Sequence, residues 1–257
     1  MNSDDILGIK NRTENWETAR TFAPLITCSR KRYEFARHII SNHYSPCPSF
    51  GEEHVMLELF WKGFRDLIKL TAGASGKSSK ARKAAKIKEV ADIYRKHFHD
   101  LRTGIEEYIS LAETQKKQPK LNLKPDNYVC KESDTNEPDK SELRLYDNLI
   151  NTEIDIVVSA PGFLLIGEAK EEASFDGNSE YILAHQLIRE HVMADIVLQM
   201  KEPPTKTEII SFVVGDDVEG QAQVKCMLDM GWLVKENIIS WNDVKNKFSN
   251  RLNESEK

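Results

Sequence analysis

Asp155, Glu168 and Lys170 fall within Thr152 to Lys170, a run that reads as two half-buried strands folded back around Pro161-Gly162. A loop centred on that turn sets the register, so that Asp155 faces Glu168 and Glu153 faces Lys170. Directly opposed side chains lie about 4.5–5.5 Å apart at Cβ, and like charges there are destabilising. Two acids on an apolar strand pair therefore call for a cation between them. Side chains two apart share a face, which places Glu168 and Lys170 with Leu164 and Ile166. Magnesium takes hard oxygen ligands, commonly one or two carboxylates together with waters and phosphate oxygens. An ammonium beside it can orient or deprotonate a water and counter charge growing on a phosphate. The competing reading is a surface hairpin, with a Glu153–Lys170 cross-strand pair and solvated acids.

At these residues the chain resembles the PD-(D/E)xK nuclease superfamily, whose restriction-endonuclease-like fold is shared by restriction enzymes, Holliday-junction resolvases and RecB-type nucleases. Asp155 corresponds to the first acid of the motif and Glu168-Ala169-Lys170 to its (D/E)-x-K, while Ile154 stands where the strict motif has proline. The resemblance implies that both acids coordinate Mg2+, with Mn2+ as a substitute, and that the lysine activates water. In related nucleases a glutamine on the following helix sits close to the catalytic centre, which adds Gln186 to the candidate catalytic residues. The likeness runs from near Ser141 to the C-terminus. It implies an α/β fold with a mixed central sheet flanked by helices, preceded by a helical N-terminal portion.

The elements needed to position these residues can be read from the pattern. Asn178-Ser179-Glu180 supplies a helix start, and Tyr181 to Leu198 carries helically spaced apolar residues without Gly or Pro. Arg189, three residues after Gln186, lies on the same side of that helix; His185 and His191 read as structural or solvated. Pro203-Pro204 breaks the helix, Glu208 to Gly215 reads as a buried strand, and Gly220 to Met230 as a further helix before a short Trp232-Leu-Val segment. In the first half, Ser29 to Ile40 reads as a basic amphipathic helix, His43 to Ser49 as a proline-interrupted loop, and Glu52 to Leu70 as a strongly apolar helix. Glu52 or Glu53 could add an acid near a metal, although acids at a helix start are also favoured electrostatically.

Charge is unevenly distributed along the 257 residues, whose net charge is −5. Residues 1–125 hold 23 Lys+Arg against 15 Asp+Glu, and residues 126–257 hold 13 against 26. A basic half joined to an acidic half suits a chain that grips a polyanion with one part and gathers carboxylates in the other. The division predicted on this basis is a helical, basic portion over 1–125, whose helix 52–70 packs on the core, and a nuclease core over 126–257. Gly76 to Lys88 holds six bases and no acid. Bases at a helix start oppose the helix dipole, so phosphate contact by Lys77, Lys80, Arg82 and Lys83 is one reading and a solvated loop the other. Gly73 to Ser78 departs from a phosphate-binding loop, because Thr71 occupies the first glycine position. Thr114 to Lys140 reads as a long connection.

No stretch approaches the roughly 18 apolar residues of a membrane span. Acids near Met1 and four cysteines without a Cys-x-x-Cys pair make the cytoplasm the expected compartment. The intervals of Cys28, His38, His43 and Cys47 match no zinc pattern. The combined expectation is a Mg2+-dependent nuclease acting on DNA, double-stranded by preference. An endonuclease of restriction or antiviral defence is expected, with a homodimer or a regulatory partner as candidate assemblies. The alternatives are a structure-selective repair nuclease or resolvase, and a non-catalytic nucleic-acid-binding subunit.

Overall fold

The structure is a computed structural model, and it describes residues 13–63, 152–170, 186–199 and 206–249. Helices α1 (Thr13–Thr27) and α2 (Ser29–Ser41) lead through a short turn at Glu52–His54 into strand β1 (Met56–Trp61). Strands β2 (Ile154–Ala160) and β3 (Phe163–Lys170) follow, then α3 (Gln186–Gln199), β4 (Glu208–Gly215), α4 (Ala222–Asp229), β5 (Ile238–Ile239) and α5 (Trp241–Val244). The five strands form one mixed sheet in the order β1-β2-β3-β4-β5, antiparallel from β1 to β3 and parallel from β3 to β5. Residues 56–61 thus share one sheet with the later strands. The boundary expected near residue 125 lies outside the described residues.

Helices cover both faces, which is why β3 and β4 are buried along nearly their whole length and read as continuous apolar runs. On one face, Leu187, Ile188, Val192 and Met193 of α3 pack with Val224 and Met227 of α4 against Val157, Leu164, Ile166 and Val213. On the other, Phe22 and Leu25 of α1, Phe35 and Ile39 of α2, and Trp241 of α5 pack against Ile156, Val158, Leu165 and Phe212. Among the described residues, no helix is long and apolar enough to cross a membrane.

The helix expected over Glu52–Leu70 is not formed in its described part, where residues 56–61 are the edge strand β1. Met56 and Glu58 point to solvent while Leu57 and Leu59 are half-buried, a two-residue period that serves a strand lying against β2. The β1–β2 ladder runs from Met56 opposite Ser159 to Trp61 opposite Ile154 and skips Phe60, whose φ of 57° is left-handed. A regular strand would send Trp61 to the side of Leu57 and Leu59. With Phe60 left-handed between them, Trp61 packs instead in the α3 core. Gly63, also left-handed at φ +39°, follows; a Cβ there would collide with the Met193 sulfur, so its absence lets this end of β1 close against α3.

Gly167 is the second position where only a missing side chain fits. It pairs with Phe212 across the β3–β4 ladder, and a Cβ at 167 would enter the Phe212 ring. That ring cannot retreat readily: it is 1% exposed and meets Phe35 edge-on at 5.4 Å between centroids. Gly167→Ala is therefore expected to cost about 1–3 kcal/mol through overpacking. Thermal denaturation would show a lowered melting temperature; an unchanged one would mean that the ring can move aside.

Candidate active site

The hairpin places the candidate acids. Ile156 opposes Gly167 and Ala160 opposes Phe163 across the Pro161-Gly162 turn, and this register continued by one residue sets Asp155 opposite Glu168. Both side chains lie beneath α3 and are buried, with Asp155 8% and Glu168 1% exposed. The backbone N–H of Ala169 donates to Asp155 Oδ2 at 3.2 Å, which ties the first acid to the strand bearing the second. Lys170 Nζ donates to Glu168 Oε1 at 2.6 Å with only 11% of its side chain exposed, as expected for residues two apart on one face. From across the chain, the Trp241 indole N–H donates to the Lys170 carbonyl at 2.9 Å and anchors the end of β3. Glu153, expected opposite Lys170, precedes β2 and forms an ion pair with Lys62 at 3.5 Å.

Helix α3 brings Gln186 onto the same spot, where its side-chain amide donates to Glu168 Oε1. One turn on, Glu190 is 2% exposed and faces the same pair. Glu190 is the residue that sequence reasoning missed. Its signal is that it interrupts the apolar stripe Leu187–Ala194–Val197 at a helical spacing from Gln186, so a charge falls where the helix meets the sheet. Arg189 donates from Nε to Thr152 Oγ1 at 2.9 Å and lies close enough to Glu190 and Glu168 to act on both electrostatically.

Burying these acids perturbs them strongly. Burial, followed by the neighbouring Glu190 charge, pushes the Glu168 carboxyl well above the usual range despite the opposing Lys170 ammonium. Burial, aided by the Asp155 charge, pushes Glu190 up to about 7, against a hydrogen bond with Glu168 and the pull of Arg189 and Gln186. Without another cation the two glutamates thus share a proton, and the pair titrates together. Glu168 Oε2 and Glu190 Oε1 are buried and have no hydrogen-bond partner. Among the described residues, no three His, Cys, Asp or Glu side chains form a ready-made metal cage. One oxygen of Asp155 and one of Glu168 are engaged by protein donors, as above.

Other candidates fall away from this spot. Glu52 and Glu53 are exposed and precede Met56, whose partner Ser159 is four residues, about 13 Å, along β2 from Asp155. His191 stacks on Trp232 with 4.0 Å between centroids and lies 3.1 Å from Ser211 Oγ; burial pushes its pKa down to about 3, so it is held neutral. Lys77, Lys80, Arg82, Lys83, His185 and the helix start at Asn178-Ser179-Glu180 lie outside the described residues. No family model, curated protein or solved structure matches the chain.

Proposed function

We propose that this chain is a metal-dependent nuclease that hydrolyses phosphodiester bonds in DNA, with a PD-(D/E)xK-type site on a restriction-endonuclease-like core. The observation that carries the proposal is the convergence of Asp155, Glu168 and Lys170 at one end of the β2–β3 pair, under a helix that adds Gln186. A buried cluster of this kind, with strongly perturbed acids, costs stability that a structural ion pair has no need to spend.

Asp155 and Glu168 are the residues that would hold Mg2+ or Mn2+. Their oxygens are the hard donors these ions take, and the unpartnered Glu168 Oε2 is a lone pair in need of a cation. When bound, such an ion supplies Lewis-acid polarisation of a phosphoryl oxygen and makes a water more acidic. Lys170 supplies the ammonium that orients the attacking water and offsets charge building on the phosphate. Gln186 holds the Glu168 carboxylate in one orientation. At this spot three carboxylates, Asp155, Glu168 and Glu190, face two cationic side chains, Lys170 and Arg189. With the proton shared by Glu168 and Glu190 these charges balance; a divalent cation that displaces that proton leaves one positive charge, the complement of a single phosphodiester. The basic segment with Lys77, Lys80, Arg82 and Lys83 would supply sequence-independent grip on the backbone.

Incubating the purified protein with supercoiled plasmid and with single-stranded DNA, in Mg2+, Mn2+ or excess chelator, tests the reading. Cleavage that requires the metal is expected. Robust cleavage in chelator, or intact DNA under every metal condition, would overturn it.

A further inference from the structure

We propose that Glu190 is a third carboxylate ligand of this cation site, so that the metal is held between the sheet and helix α3 and not by the hairpin alone. The inference rests on the nuclease reading above and extends it to a residue outside the Asp155, Glu168-x-Lys170 pattern.

Three observations converge on it. Glu190 stands one helical turn from Gln186, so both side chains leave α3 towards Glu168. Its carboxyl interacts directly with that of Glu168 and lies within electrostatic reach of Asp155, although three acids gathered at a helix–sheet interface repel one another. One oxygen of each acid, Glu190 Oε1 and Glu168 Oε2, is enclosed and lacks an amide, ammonium or hydroxyl donor, while Glu168 Oε1 accepts from Lys170 and Gln186. A purely structural buried glutamate has its oxygens satisfied by donors. Gln186 acts on Glu190 as well, yet one oxygen of each glutamate has no amide, ammonium or hydroxyl donor; the proton the two acids share fills that gap in the metal-free protein, and a ligand that accepts lone pairs from both acids at once can take its place. A divalent ion with hard-oxygen preference is such a ligand.

The test is Mn2+ binding by the full chain, read from the paramagnetic resonance signal of free Mn2+ and by titration calorimetry, so that no catalysis is involved. Glu190→Gln keeps the shape and removes the charge; its affinity for Mn2+ should fall about tenfold or more. Glu190→Asp keeps the charge but withdraws it by one methylene, and should bind more weakly than wild type and more tightly than Glu190→Gln. Melting curves in chelator check that each variant is folded. If Asp155→Asn loses Mn2+ while Glu190→Gln and Glu190→Asp both bind like wild type, the inference falls and the nuclease reading stands. If wild type itself binds no Mn2+, both fall.

Discussion

Replacing Lys170 with methionine is expected to lower metal-dependent DNA cleavage about 10³-fold, the scale on which one preorganised electrostatic group contributes. Methionine keeps the length of the side chain in its buried slot and removes only the ammonium that donates to Glu168. Both carboxylates remain, so Mn2+ should still bind, and binding of uncleaved DNA in Ca2+ should change little. Asp155→Ala and Glu168→Ala should abolish cleavage for a different reason, the loss of a ligand, and should lose Mn2+ binding with it. Single-turnover cleavage beside Mn2+ titration separates the two classes. Near-wild-type cleavage by Lys170→Met would remove the lysine from the chemistry, and near-wild-type cleavage by Glu168→Ala would remove the mechanism altogether.

A second large effect should appear in stability without any substrate. Glu190 has a folded-state pKa raised from 4.5 to about 7, and Glu168 is raised with it. Between these values the folded chain keeps a proton that the unfolded chain releases, so stability falls as pH rises through the window from about 4.5 to 7. Below it the effect vanishes, because both states are protonated; above it the full penalty is present. In chelator, Glu190→Gln should therefore melt higher than wild type at pH 8, on the order of 5 °C for a chain of this size, and nearly with it at pH 4.5. Saturating Mn2+ should stabilise wild type more at pH 8 than at pH 5.5, since the ion competes with the shared proton. A wild-type minus Glu190→Gln difference that is flat across this range would contradict the buried, coupled pair.

How far these features were legible depended on how local their causes are. The Pro161-Gly162 turn lies between two alternating runs, and a tight turn fixes register at short range, so the pairing near Asp155 and Glu168 could be derived from residue spacing. The strand Glu208–Gly215 and the helix from Ser29 were equally plain, the strand as a β-branched apolar run between Pro203-Pro204 and Gly215, the helix by its amphipathic period. Strand β1 was read as a helix because Met56-Leu-Glu-Leu59 is made of good helix formers, and a short apolar run does not announce its period. Its strand form follows from pairing with β2, about a hundred residues away in sequence. Glu190 went unseen because an acid within an apolar helix reads as a solvated flank until the face it occupies is known. The pairing of Glu153 with Lys62 depended on the same distant strand.

Among the described residues, both lateral borders of the sheet are poor templates for another chain. The outer border formed by β1 carries an exposed charge at Glu58 and turns left-handed at Phe60, so its row of backbone donors and acceptors is interrupted before it reaches the acid cluster. The opposite border, β5, is only two residues long. Charged, kinked or very short borders resist strand-to-strand joining. Self-association of two copies through either of these described borders is thereby disfavoured.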